Sequence, residues 1–98
     1  MPDSNFVLVL RTRKCRKSDV FLRFLQESNL PFEVKYLETD NEAQALARQF
    51  RIKSSPGIII NGRLFSTPYQ LIENCRVKEP YKVKQAILNE LNAGSQHI

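Results

Sequence analysis

The sequence predicts an α/β fold in which three helices flank a four-stranded mixed sheet. An early apolar run, a segment with helical spacing and a strand with regular alternation follow one another and predict a β-α-β unit. Such a crossover is right-handed, so its two strands should pair in parallel. A later hairpin and a last helix complete the order β-α-β-α-β-β-α. The chain has 98 residues, and we expect a single domain over residues 1–98.

Apolar spacing defines the first three elements. Residues 5–11 contain an apolar run without alternation, which predicts a strand buried on both faces. Residues 17–28 are predicted to form a helix that ends at Ser28-Asn29, before Pro31. Its apolar side chains recur at helical spacing, namely Val20, Phe21, Phe24 and Leu25. Residues 32–37 alternate between apolar and charged side chains, which predicts a strand with one buried face.

Local signals also place the elements of the middle of the chain. The segment Thr39-Asp40-Asn41-Glu42 has the form of a capping box, which should open a helix that runs to about Phe50. Residues 57–60 form a short apolar run that predicts a buried strand. The dipeptide Asn61-Gly62 is a strong two-residue hairpin signal. The next strand is therefore expected to return through residues 63–65.

The last third of the chain is less regular. In residues 66–78, Pro68 could start a short helix that runs through Glu73, or the whole segment could be a loop. Pro80 suits the first turn of a final helix, and Val83, Ile87 and Leu91 would form its apolar stripe. Residues 92–98 are expected to be frayed.

Composition limits the class of protein. Hydrophobic residues make up 42% and charged residues 26%, which is ordinary for a soluble globular protein. No run of 18 apolar residues occurs, so we expect no membrane span. The first five residues lack the pattern of a signal peptide, and two cysteines, Cys15 and Cys75, do not form a disulfide framework. We therefore expect a cytoplasmic protein in a reducing compartment.

The net charge of +5 is concentrated around one cysteine. The basic residues on either side of Cys15 are Arg11, Arg13, Lys14, Arg16 and Lys17. Such a cluster could bind nucleic acid, act as a localisation signal, hold an acidic small molecule or form a solvated loop. No aromatic residue lies within the cluster to stack on bases, so we do not expect nucleic-acid binding.

No metal site is predicted from the metal-binding residue types. His97 is the only histidine and lies near the end of the chain. Cys15 and Cys75 do not have the spacing of zinc ligands. We therefore predict neither a metal nor another bound cofactor.

Four features together resemble the thioredoxin/glutaredoxin superfamily. They are the C-x-x-S tetrad Cys15-Arg16-Lys17-Ser18 after the first strand, the acidic turn Glu38-Thr39-Asp40-Asn41, the stretch Arg51-Ile52-Lys53-Ser54-Ser55-Pro56, and the hairpin Ile58-Ile59-Ile60-Asn61-Gly62. The match covers roughly residues 5–66 and, more loosely, the last helix. The resemblance implies a thioredoxin-like fold of the monothiol type. It also implies that Pro56 follows a cis peptide bond and that Ser55 offers its backbone to a substrate beside Cys15.

The chain also departs from this superfamily. Lys14 stands where many members have tryptophan, and Ser18 replaces the second cysteine. Monothiol glutaredoxins that carry iron–sulfur clusters have a glycine and a phenylalanine between the cysteine and the serine of this tetrad. Here Arg16 and Lys17 occupy those positions, which argues against a cluster. The Gly-Gly-x-x-Asp-like stretch that helps many glutaredoxins hold glutathione is not recognisable near residues 66–70.

The tetrad restricts the possible chemistry. At the start of a helix, Cys15 should have a lowered pKa because backbone N–H groups, the helix dipole and nearby cations favour the thiolate. Ser18 can hydrogen-bond this thiolate but cannot attack a mixed disulfide. Exchange would then need an external thiol such as glutathione, or Cys75, whose position in the sequence does not obviously bring it near Cys15.

Two functions follow as hypotheses. In the first, the protein is a glutaredoxin-like monothiol thiol–disulfide exchange protein with Cys15 and Ser18 at its catalytic centre. Its substrates would be protein disulfides or glutathionylated proteins, bound with the help of Lys14, Arg16, Lys17, Ser55 and Pro56. In the second, it is a non-catalytic thioredoxin-like module that binds a protein partner, or a subunit of a larger redox complex.

Overall fold

The computed structural model describes residues 6–53, 55–66, 72–74 and 76–95. The strands and helices in chain order are β1 (Val7–Arg11), α1 (Arg16–Glu27), β2 (Phe32–Tyr36), α2 (Asn41–Gln49), β3 (Gly57–Ile60), β4 (Arg63–Ser66), β5 (Ile72–Glu73), β6 (Arg76–Val77) and α3 (Pro80–Ser95).

The main sheet has four strands in the order β2-β1-β3-β4. β1 pairs with β2 in parallel, as the β-α-β pattern predicted, and with β3 in antiparallel orientation. In this register Val9 of β1 lies between Val34 and Ile58. The mixed four-stranded sheet and the α/β class are therefore confirmed.

Helices cover both faces of this sheet. On one face, α1 and α3 enclose the larger core, whose members include Val7, Val9, Phe21, Leu25, Ile58, Ile60, Val83 and Ile87. On the other face, Leu10 and Ile59 pack with Ala43 of α2. Because successive residues of a strand point to opposite faces, the central strands must be apolar at nearly every position. This explains the absence of alternation in β1 and β3.

The N-terminus of α2 differs by one residue from the predicted capping box. The cap is Asp40 rather than Thr39, because an Asp40 carboxylate oxygen accepts the N–H groups of Glu42 at 2.9 Å and Ala43 at 3.2 Å. A carboxylate satisfies two free N–H groups of the first turn and carries a charge that the helix dipole favours.

The Asn61-Gly62 turn between β3 and β4 is formed as predicted. Both residues have positive φ angles, 52° and 74°, which a type I′ turn requires. The Asn61 side-chain amide also donates a hydrogen bond to the carbonyl oxygen of Glu90 at 2.6 Å. The hairpin is thereby joined to α3.

The segment before α3 contains an element that the sequence did not predict. β5 and β6 pair as a short antiparallel ribbon, with Ile72 opposite Val77. The prediction of a helix through Glu73, or of a loop, is wrong for these residues because Ile72 is buried in the larger core and Val77 packs against it. The predicted helix start at Pro68 lies outside the described residues.

The final helix begins at Pro80, as predicted, and runs to Ser95. Its stripe of Val83, Ile87 and Leu91 is buried against the sheet. The helical backbone continues beyond residue 92, where we had expected fraying to begin. Residues 96–98 lie outside the described residues.

Candidate functional site

Cys15 caps the N-terminus of α1. Its backbone is extended, with φ −144° and ψ 106°, and its sulfur accepts the backbone N–H of Ser18 at 3.4 Å. A cap side chain usually offers an oxygen to this free N–H group; here a sulfur takes that place. The thiol is consequently held at the positive end of the helix dipole while the residue remains partly exposed.

The loop before β3 faces this thiol. The peptide bond between Ser55 and Pro56 is cis, the isomer that the resemblance implied, and Pro56 is fully buried. The Cys15 thiol lies 3.5 Å from the carbonyl oxygen of Ser55, to which it donates a hydrogen bond. The fold therefore brings together two segments that are 40 residues apart in the chain.

A pair of serine hydroxyls connects the same two segments. Ser18 Oγ lies 2.9 Å from Ser55 Oγ, and Ser18 is completely buried. Ser55 Oγ also accepts the backbone N–H of Thr12 at 3.1 Å. The serine of the C-x-x-S tetrad thus joins α1 to the loop that contains Pro56.

The pKa of Cys15 reflects two opposing influences. Partial burial raises the pKa of this thiol because it disfavours the charged thiolate. Hydrogen bonds from the side chains of Ser18 and Ser55 act in the opposite direction. The backbone N–H groups of Ser18 and Lys17 add to this effect, and the pKa of Cys15 is lowered from its ordinary value. We had expected the nearby cations to contribute as well, but the hydrogen bonds are what lower this pKa.

Arg11 is a structural residue rather than part of the exposed basic cluster. It is only 5% exposed, and its guanidinium forms an ion pair with Asp19 at 2.7 Å. The same group donates hydrogen bonds to the carbonyl oxygens of Thr12 and Arg13, each at 2.8 Å. Counting Arg11 in the basic cluster around Cys15 was therefore wrong, because its guanidinium is paired and hydrogen-bonded within the loop that leads to Cys15.

Two further side chains support this loop and were missed from the sequence. The Glu38 carboxylate accepts the backbone N–H of Arg13 with both oxygens, at 2.8 and 3.1 Å. The Arg11 guanidinium lies over the ring of Tyr36, and its central carbon is 5.7 Å from the centre of that ring. This distance is typical of a cation–π contact. An arginine at the end of an otherwise apolar strand was the one signal that could have indicated such a buried charge.

The remaining predicted site residues lie around Cys15. Lys14, Arg16 and Lys17 are all exposed at the N-terminus of α1. Cys75 lies outside the described residues. So do residues 67–71, which make up most of the stretch near residues 66–70 that lacks a recognisable glutathione-binding motif.

Neither a metal site nor a membrane span is found in the described part of the chain. Within it, no three side chains of the metal-binding types are grouped as they would be around an ion. No helix there is both long enough and apolar enough to cross a bilayer.

Comparisons with known proteins support the fold. No protein-family model matches this chain, and no curated protein matches it. Among solved structures, the chain is similar to the crystal structure of the holo form of glutaredoxin C1 from Populus tremula x tremuloides. The TM-score is 0.65 at 16% sequence identity, and the match covers 93% of this chain and 79% of that chain. At this level of identity the likeness concerns the fold, and it confirms the predicted thioredoxin/glutaredoxin-like fold.

Proposed function

We propose that this protein is a monothiol thiol–disulfide exchange protein of the reducing cytoplasm, with Cys15 as the nucleophile and glutathione as the external resolving thiol. The observation that carries the proposal is the environment of Cys15. Cys15 is partly exposed, its sulfur caps α1, and its pKa is lowered. Thiol–disulfide exchange needs an accessible thiolate, and these features favour one.

The proposed reaction has two steps and needs no bound cofactor. The Cys15 thiolate attacks the glutathione sulfur of a glutathionylated protein, so that a Cys15–glutathione disulfide forms and the protein sulfur leaves as a thiolate. The thiolate of a second glutathione then attacks the glutathione sulfur on Cys15. This step releases oxidised glutathione and restores the Cys15 thiolate. The protein sulfur is reduced to a thiolate and the sulfur of the second glutathione is oxidised, while the first glutathione sulfur remains in a disulfide throughout.

The neighbouring residues would have distinct roles. Ser18 cannot act as a resolving nucleophile, so the mixed disulfide persists until the external thiol arrives. The carbonyl oxygen of Ser55 already accepts a hydrogen bond from the thiol, and the Ser55 backbone would lie along a substrate backbone, held in position by the buried Pro56. The exposed cations of Lys14, Arg16 and Lys17 would attract the carboxylates of glutathione.

The proposal is tested by the pH dependence of Cys15 alkylation. The experiment uses a Cys75→Ser variant, in which Cys15 is the one thiol that can be alkylated. The Cys15→Ser/Cys75→Ser double variant, which has no thiol, is the control. We expect a midpoint below the unperturbed thiol value of about 8.5. The rate of deglutathionylation of a glutathionylated peptide should rise with pH over the same range, because only the thiolate reacts.

The same experiment separates the two functional hypotheses. A midpoint at or above the unperturbed value, together with no turnover of the glutathionylated peptide, would refute exchange chemistry. The non-catalytic interaction module would then be the better account of the fold. Turnover that persists in the Cys15→Ser/Cys75→Ser variant would also refute the assignment of Cys15.

A further inference from the structure

A groove with a volume of about 460 Å³ runs beside α1. Its other walls are β6 and Pro80, the first residue of α3. We name it the ribbon groove, because β6 of the β5–β6 ribbon forms one side of it. It begins at Arg16, the residue that follows Cys15. A substrate segment attached to a sulfur at Cys15 can therefore continue into this groove.

One stripe of α1 forms the long wall of the ribbon groove. Its members recur three or four residues apart, which places them on one face of the helix: Arg16, Asp19, Val20, Arg23 and Glu27. At 1.5 Å per residue the stripe is about 16 Å long. An extended peptide rises by about 3.3 Å per residue, so roughly five residues would fill it.

The charge along the ribbon groove is predominantly positive. Arg16, Arg23 and Arg76 line it, and among the described residues none of the three forms an ion pair. The charge of Asp19 is already paired with Arg11 at 2.7 Å. Glu27, at the far end of α1, is then the acidic group of the lining that forms no ion pair with another described residue.

The base of the ribbon groove is apolar. Phe24 is buried, and Val20 and Val77 are half-buried beside it. An apolar base between cations matches a segment that alternates apolar and acidic side chains. It does not match glutathione alone, which has no apolar side chain to occupy such a base.

We propose that the ribbon groove binds an acidic, partly apolar peptide segment that flanks the reactive sulfur of the protein substrate. The proposal rests on the proposed function for the chemistry at Cys15, whereas binding of the segment can be measured without it. The apolar side chains contact Val20, Phe24 and Val77, and the carboxylates lie near Arg23 and Arg76. The β5–β6 ribbon would thus select which glutathionylated proteins this chain reduces.

Binding is tested first without chemistry. The full chain with the substitution Cys15→Ser is titrated into two fluorescent seven-residue peptides, one alternating leucine with glutamate and the other leucine with lysine. We expect tighter binding of the glutamate peptide, with an affinity that falls at high salt because exposed charges are screened. Arg23→Glu and Arg76→Glu should each weaken it about three- to tenfold. The matched control Arg63→Glu changes an exposed residue on β4 outside the groove by the same charge and should have no comparable effect.

Kinetics test the link to Cys15. With the glutamate peptide glutathionylated on a terminal cysteine, Arg23→Glu should raise KM and leave kcat unchanged. With the small mixed disulfide of glutathione and 2-mercaptoethanol, the same variant should match the unsubstituted protein. If neither substrate is turned over, the proposed function fails, and the binding experiment alone decides the role of the groove.

Several results would overturn the inference. Equal binding of the two peptides, or equal weakening by Arg63→Glu, would show that the groove does not recognise the segment. Binding of a single-stranded oligonucleotide, lost in Arg23→Glu while the glutamate peptide does not bind, would assign the cations to nucleic acid. A dimer seen by sedimentation and abolished by Arg76→Glu would assign the groove to a second copy of the chain.

Discussion

Replacing Arg11 with methionine should lower the free energy of unfolding by about 2 kcal/mol. The guanidinium of Arg11 forms hydrogen bonds to two backbone carbonyls of the loop before Cys15 and to Asp19. Methionine fills a similar volume and removes all of these bonds. The substitution therefore tests whether the buried charge holds the loop in place.

The magnitude follows from the exposure of each partner. Asp19 is 68% exposed, so its ion pair contributes at most about 1 kcal/mol. Each of the two carbonyl bonds contributes about 1 kcal/mol, because water can replace part of it. Burial of the methionine side chain offsets about 1 kcal/mol of the loss. For a domain of this size, a net loss of about 2 kcal/mol lowers Tm by roughly 8–16 °C.

Thermal and urea unfolding followed by circular dichroism measure this loss. Arg13→Met is the matched control, because Arg13 is exposed in the same loop and its side chain forms no hydrogen bond in the described structure. We expect the control to change stability by less than about 0.5 kcal/mol. If the two variants lost equal stability, or if Arg11→Met left Tm unchanged, the structural role of Arg11 would be refuted.

Three further substitutions probe the site and its support. Ser18→Ala should raise the pKa of Cys15, because a hydrogen bond that favours the thiolate is lost; an unchanged alkylation profile would contradict this. Gly57→Ala would place a methyl group 2.7 and 2.8 Å from two carbons of Ile52, which should cost about 1–3 kcal/mol. The loss should shrink when it is measured in an Ile52→Ala background, and a penalty of equal size there would exclude the clash as its cause. The pKa of Asp40 is lowered by hydrogen bonds from the first turn of α2. The Asp40 carboxylate therefore stabilises the folded protein fully above its pKa in the unfolded chain, about 3.9. This stabilisation is lost as pH falls through the lower pKa of the folded state. Asp40→Asn should keep the cap and flatten that acid dependence, and an unchanged acid transition would show that Asp40 does not contribute to it.

Much of the fold could be predicted because its signals are local. The spacing of Val20, Phe21, Phe24 and Leu25 gives one face of α1, and the Asn61-Gly62 pair suits only a few turn geometries. The order of strands and helices follows from such signals, and the right-handed crossover rule then limits the sheet topology. The β5–β6 ribbon was missed because two-residue strands have no period to detect, and only the contact of Ile72 and Val77 with the core makes them a pair.

The candidate site likewise combines features that local sequence signals predict with features that depend on contacts between distant segments. The sequence by itself determined that Cys15 begins a helix and that Ser18 cannot resolve a mixed disulfide, because both depend on neighbours in the chain. Only the tertiary structure decided that Ser18 contacts Ser55, 37 residues away, and that Arg11 is buried against its own loop. The physical reason is that the partners of a side chain depend on which distant segments pack beside it. The position of a charged or hydroxyl residue in the sequence does not indicate which segments those are.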